Sequence, residues 1–186
     1  MIWESHFWKD DLLKKAKSLQ QCRRRCNWSE TQLGRLEQGV MLGFYSIRKL
    51  ADAGKLSAAT MTQELSLAAY KWLGKPVTKL NWHHIDRLYD LENAATESRS
   101  LLKLCHQFVH SFIFIPDFDG DDKLSGFMFA SDHQRQTALL RIGITDVVAV
   151  FKQVGKDYPA TAFRTFNQKK GDYEPCPIER EPERET

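Results

Sequence analysis

Glu97-Ser98-Arg99-Ser100-Leu101-Leu102-Lys103-Leu104-Cys105-His106-Gln107-Phe108-Val109-His110-Ser111-Phe112-Ile113-Phe114-Ile115-Pro116 is the stretch on which the fold turns. On a wheel of about 100° per residue, Leu101, Leu102, Leu104, Cys105, Phe108, Val109 and Phe112 fill an arc of about 160°. That spacing predicts a helix from Glu97 to Ser111. The aromatic and β-branched run Phe112–Ile115 then favours a strand, and Pro116 ends it. A helix that passes directly into a strand divides the chain into a helical first half and a sheet-forming second half.

Upstream, Trp8, Leu12, Ala16, Leu19, Cys22 and Cys26 recur at helical spacing and predict a helix from Trp3 to Arg25. Ser29 is placed to cap a second helix running to Ala53, with Leu33, Leu36, Val40, Ile47 and Leu50 on one face. Gly43 on that face implies the close approach of a neighbouring element, and Gly54 ends the helix. From Thr60 to Trp72 the apolar period shortens to two, which predicts a strand, with a short helix from Ser57 as the competing reading. Gly74 and Pro76 mark a turn. Asn81 is placed to cap a short helix from Trp82 to Glu92.

Downstream, Asp119-Gly120 signals a turn and Ser125–Ala130 the return strand of a hairpin. Further strands are expected at Ala138–Ile144 and Thr161–Asn167, with a helix capped by Thr145 and running to Val154 between them. The charge-rich tail 179–186 holds almost nothing apolar and is expected to be disordered. The class is therefore α+β: an N-terminal helical layer packed on a C-terminal antiparallel sheet of about four strands. One domain is expected over 1–178, helical over 1–111 and sheet-rich over 112–178, ahead of that tail. The expected core is Trp8, Leu12, Leu19, Leu36, Val40, Ile47, Leu101, Cys105, Phe108, Phe112, Phe114, Ile142 and Phe151.

With 186 residues, 42% of them hydrophobic and 11% aromatic, the chain can build a core without staples. Cys22, Cys26, Cys105 and Cys176 are accordingly read as reduced thiols of a cytoplasmic protein. The N-terminus lacks a signal-peptide pattern, and no apolar run reaches the roughly 18 residues of a membrane span, so a soluble protein with no membrane partner is expected. A net charge of +3 is mild, although it leaves room for a local basic patch. The acidic run Asp117–Asp122 fails as a calcium loop, since positions six and twelve are Asp122 and Met128 where Gly and Glu belong. It reads instead as a hairpin loop. No phosphate loop, dinucleotide fingerprint, nucleophile elbow or paired Cys-x-x-Cys pattern is present.

The apolar helix carries a row opposite its apolar arc: Arg99, Lys103, His106 and His110, spaced four, three and four residues apart as on one ridge. As a solvated face the row does nothing. As a metal site it offers His106 and His110 at i,i+4 but no third ligand, so no metal or cofactor is expected. As an anion site, arginine pairs with phosphate and a histidine titrating near neutrality moves protons at a ribose oxygen. Arg23, Arg24 and Arg25, together with Lys103, are candidate phosphate contacts, although cations in a last helical turn also serve the helix dipole.

The stretch Arg99 to His106 resembles the HEPN superfamily signature, an arginine followed by four to six residues and a histidine. The resemblance implies a helical, often dimeric, metal-independent ribonuclease in which Arg99 stabilises the scissile phosphate and His106 serves as acid or base. It covers at most residues 1–112 and leaves the sheet unexplained. A second register, Cys105 to His110, places Cys105 where the arginine belongs and implies a degenerate, inactive site. The chain is thus read first as a soluble, bacterial-type binding or interaction protein. It would meet a protein partner or a second copy through aromatic surface or exposed strand edges. The alternative is a HEPN-like ribonuclease or a degenerate RNA-binding relative.

Overall fold

The computed structural model describes residues 2–159, 164–169 and 171–175. Among these described residues six helices and seven strands follow in chain order: α1 (Ser5–Cys22), α2 (Glu30–Asp52), α3 (Ala58–Met61), β1 (Glu64–Trp72), α4 (Ile85–Leu88), β2 (Tyr89–Ser100), α5 (Leu101–Val109), β3 (Ser111–Phe118), β4 (Leu124–Ser131), β5 (Ala138–Gly143), α6 (Ile144–Lys156), β6 (Arg164–Asn167) and β7 (Asp172–Pro175). The class is α+β. The main sheet has five antiparallel strands in the order β2-β1-β5-β4-β3, one more than expected, and β6 and β7 form a separate hairpin. Thr161–Phe163 of the expected last strand and the tail 179–186 lie outside the described residues. No helix among the described residues is long and apolar enough to cross a membrane.

The additional strand comes from segments expected to be helical. Tyr89–Ser100 is one long strand, so the helix expected over Trp82–Glu92 shrinks to α4, and the helix expected from Glu97 begins at Leu101. β1 is the reason. It pairs with β2 from Glu64 opposite Ser100 to Ala69 opposite Ala95, and the Ser98 hydroxyl donates to the Glu64 carboxylate at 2.7 Å. Glu and Arg are good helix formers and Ser a middling one, but the ladder overrides that preference. α5 starts where the ladder stops, with the Leu101 N–H donating to the Gln63 carbonyl at 2.9 Å. Both competing readings of 57–72 are realised in succession: Ser57 caps α3 through Thr60, and β1 follows.

Local signals hold elsewhere. Ser29 and Gln32 form a capping box at the start of α2. At its end Gly54, at φ 65°, lets Lys55 donate to the Leu50 carbonyl at 2.9 Å and closes the helix. In the β3–β4 hairpin the left-handed residue is Asp122, at φ 57°, not Gly120. The Asp119 carboxylate accepts from the N–H groups of Asp121 and Lys123 at 3.0 Å each, and Asp117 accepts from Arg141 Nε at 2.6 Å, so the acidic run is occupied in shaping the turn. α6 starts at Ile144 on an N-cap Gly143, without the side-chain cap expected of Thr145.

β2 and β3 are the opposite edges of the sheet, so α5, which joins them, crosses one whole sheet face. α5 and α6 lie against that face, α2 packs on α5, and α1 packs on α6. Phe108 of α5 is stacked between Phe44 of α2, ring centroids 4.0 Å apart, and Phe129 of β4 at 4.3 Å. Of the expected core, Trp8, Phe112 and Phe114 are half-buried and the remainder is buried. The β1–β2 connection covers part of the other face, where Val77, Leu88 and Tyr89 close over Ile113, Ala130 and Leu139. The Tyr89 hydroxyl donates to the Arg135 carbonyl at 2.5 Å, and burial pushes its pKa up to about 12.

Among the described residues, one charged side chain, Lys9, is interred in the helical tiers. Lys9 of α1 donates through Nζ to the Lys55 carbonyl at 2.9 Å and to the Asp157 carbonyl, beside the Tyr158 ring. The Asp157 carboxylate in turn accepts from the Ser57 N–H and hydroxyl at 2.8 and 3.1 Å. This knot ties α1 to the chain ends of α2 and α6, and burial lowers the Lys9 pKa despite the nearby Asp157 charge.

Gly43 meets the close approach its position implied. A Cβ there would lie 2.2 Å from Cζ of Phe151 in α6. Gly43→Ala gains about 1 kcal/mol of helix propensity but overpacks the core by about 1–3 kcal/mol, so net destabilisation is expected. Phe108→Ala is expected to cost about 3–5 kcal/mol. Urea unfolding of both variants against the parent chain checks the order.

Candidate functional site

The row of four residues does not survive as one ridge. Arg99 stands in β2, two residues before α5, and its guanidinium is ion-paired with Glu97 on the same face of the strand. Lys103 and His106 lie on α5 and His110 is its C-cap residue; all three are exposed. The His106 and His110 rings are 4.5 Å apart between centroids. Two residues with no sequence signal join them electrostatically: Arg48 of α2 and His133 of the β4–β5 connection. The His106 pKa is lowered, first by desolvation and then by the positive charges of His110, Arg48 and His133. Arg48 itself donates from Nε to Asp52 Oδ1 at 3.0 Å.

Among the described residues no carboxylate is bonded to either ring, and no three His, Cys, Asp or Glu side chains converge as a metal ion requires. The cluster is an exposed group of titratable and cationic side chains in which like charges disfavour each other. The folded chain holds His106 below its ordinary pKa, so the unfolded chain binds more protons between the two values. Stability from this group is present above about pH 6.5, the unfolded value, and is lost as the pH falls through the folded one. His106→Gln is expected to flatten this part of the stability profile, as read by thermal unfolding between about pH 5 and 7.

A second arrangement forms where α1 meets α2. Arg23 is the C-cap of α1, and Arg23 and Arg24 line a wide, shallow hollow with Lys17, Gln20 and Gln21. Arg25 turns to the other side, into a cleft of about 330 Å³ between α1 and α2 lined by Lys15, Cys22, Trp28, Gln32 and Arg35. The local sequence builds this geometry: Asn27 reverses the chain at φ 66°, and the capping box fixes the first turn of α2 directly after Trp28. Trp28 packs edge-on against Phe118 of β3, centroids 5.8 Å apart, with the Arg25 guanidinium 5.7 Å from its ring. The indole Nε1 is buried without an acceptor. Desolvation raises the Cys22 pKa, opposed by the Arg25 charge and a Ser18 hydrogen bond, which leaves a thiol and not a thiolate in the wall.

The structure therefore separates the expected site residues. Arg23, Arg24 and Arg25 sit at the α1–α2 junction, Lys103, His106 and His110 on α5, and Arg99 on the sheet edge. Lys15, Trp28 and Arg35 were not singled out by the sequence reading. Helical spacing from Ser29 puts Gln32 and Arg35 one turn apart, but only the packing of two helices shows that they face Lys15 and Cys22. No protein-family model matches this chain, and no curated protein or solved structure is significantly similar to it.

Proposed function

We propose that this chain is a binding protein for single-stranded nucleic acid, RNA foremost, and that the α1–α2 junction is its contact surface. The observation that supports it is the sorting of charge. Lys15, Lys17, Arg23, Arg24, Arg25 and Arg35 surround two adjacent concavities in a chain whose net charge is only +3. Among the described residues Lys15 alone of these six has an ion-pair partner, Asp11 at 2.7 Å. The other five cations hold no part of the fold together through ion pairs, and their charge is free to meet phosphate. Such contacts release counterions and give salt-dependent binding.

Fluorescence anisotropy with a labelled RNA 12-mer over a salt series tests this reading. The triple variant R23Q/R24Q/R25Q is expected to weaken binding and to reduce the salt slope by about 2, from about 0.7 per single-strand phosphate contact. Binding without salt dependence, or unchanged in the variant, would remove the reading.

The paired rings of His106 and His110 beside Arg48 favour one second reading, a metal-independent ribonuclease in which one ring accepts a proton and the other donates one. Arg99, tied to Glu97, would then act only at the margin. On that reading His106→Ala abolishes RNA cleavage in the presence of a chelator and leaves thermal stability near neutral pH almost unchanged. Equal cleavage by the parent chain and the variant excludes it.

A further inference from the structure

The cleft beside the Arg23–Arg24 shelf differs from the shelf in having an aromatic wall. Trp28 forms one side; Arg25 and Arg35 supply charge, and Gln32 an amide, at its rim. Gly39 on α2 also lines it. A Cβ at Gly39 would meet nothing within 4 Å, whereas one at Gly43, a helical turn later, would collide with Phe151. Gly43 is thus required by packing and Gly39 is not, although each costs the helix about 1 kcal/mol relative to Ala. The space a side chain at Gly39 would fill is the cleft.

We infer that this cleft accepts one unstacked base of a single strand against Trp28, while the flanking phosphates run onto Arg25, Arg35 and the Arg23–Arg24 shelf. The inference rests on the nucleic-acid reading above and adds to it a discrete base site. A planar, uncharged group beside an anionic backbone is the chemistry that an indole face next to guanidinium groups recognises. Arg25, 5.7 Å from the Trp28 ring, lies too far for tight stacking, and a base can take its place over the indole. The volume, about 330 Å³, suits one base and its sugar.

The test compares anisotropy titrations of the full chain with three labelled 12-mers: RNA, DNA of the same sequence, and an abasic DNA strand. The base-bearing strands are expected to bind about tenfold more tightly than the abasic one, the scale of one base–aromatic stack. Trp28→Leu and Gly39→Leu should both erase that difference. Gly39→Leu is the decisive variant, because it closes the cleft from a position where the fold has open space and is expected to keep or raise the melting temperature. If the parent chain binds all three strands equally, or Gly39→Leu retains the preference for bases, the base site is overturned while the nucleic-acid reading stands. If no strand binds, both fall. Preference between the RNA and DNA arms tells which polymer the site reads.

Discussion

Stacking of Phe108 between Phe44 and Phe129 is the contact on which the rest of the structure depends. α5 has to cross the sheet because β2 and β3 are its two edges, and Phe108 is the point at which that crossing is pinned from both sides. Phe44 also meets Phe151 edge-on, so the same column brings in α6. Offset and edge-to-face aromatic contacts add about 0.5–1.5 kcal/mol each beyond area burial. Their larger consequence is geometric. They set the distance between the outer helices and the sheet, and Gly43 gives up its side chain to let Phe151 fit.

The buried Lys9 plays the polar counterpart at the other end of the helical tiers. An ammonium group is costly to bury unless its donors are used, and here they meet carbonyls from two separate chain ends. The Asp157 carboxylate extends the knot to the start of α3. With α1 fixed to α6 in this way, the far end of α1 and the start of α2 can carry unpaired cations without the fold relying on them. The proposed binding surface is thus set apart from the groups that hold the chain together.

Much of the architecture was legible in short-range signals. The Ser29 capping box, the left-handed Gly54, the close approach at Gly43 and the β3–β4 hairpin each follow from a few neighbouring residues. The readings failed where a distant strand decided against the local helical preference. Glu97–Ser100 and Tyr89 pair with β1, and Asp90–Glu92 are carried along in the same strand. That single change moved Arg99 from a helix to a sheet edge and dissolved the four-residue ridge, leaving Lys103, His106 and His110. Arg48 and His133 entered the cluster from other elements, which no pattern along the chain could announce.

By itself the sequence determined the α+β class, most of the core, and which residues carry titratable or fixed positive charge, whereas the expected split into a helical half and a sheet half gives way to a sheet that draws β1 and β2 from the first hundred residues. Periodicity and capping are properties of a few consecutive residues, so they can be read directly. Only the tertiary structure decided which charges share a surface. Trp28, Gly39 and Arg35 become a wall, an opening and a rim because α1 and α2 pack face to face, and that packing is set by burial summed over the whole chain.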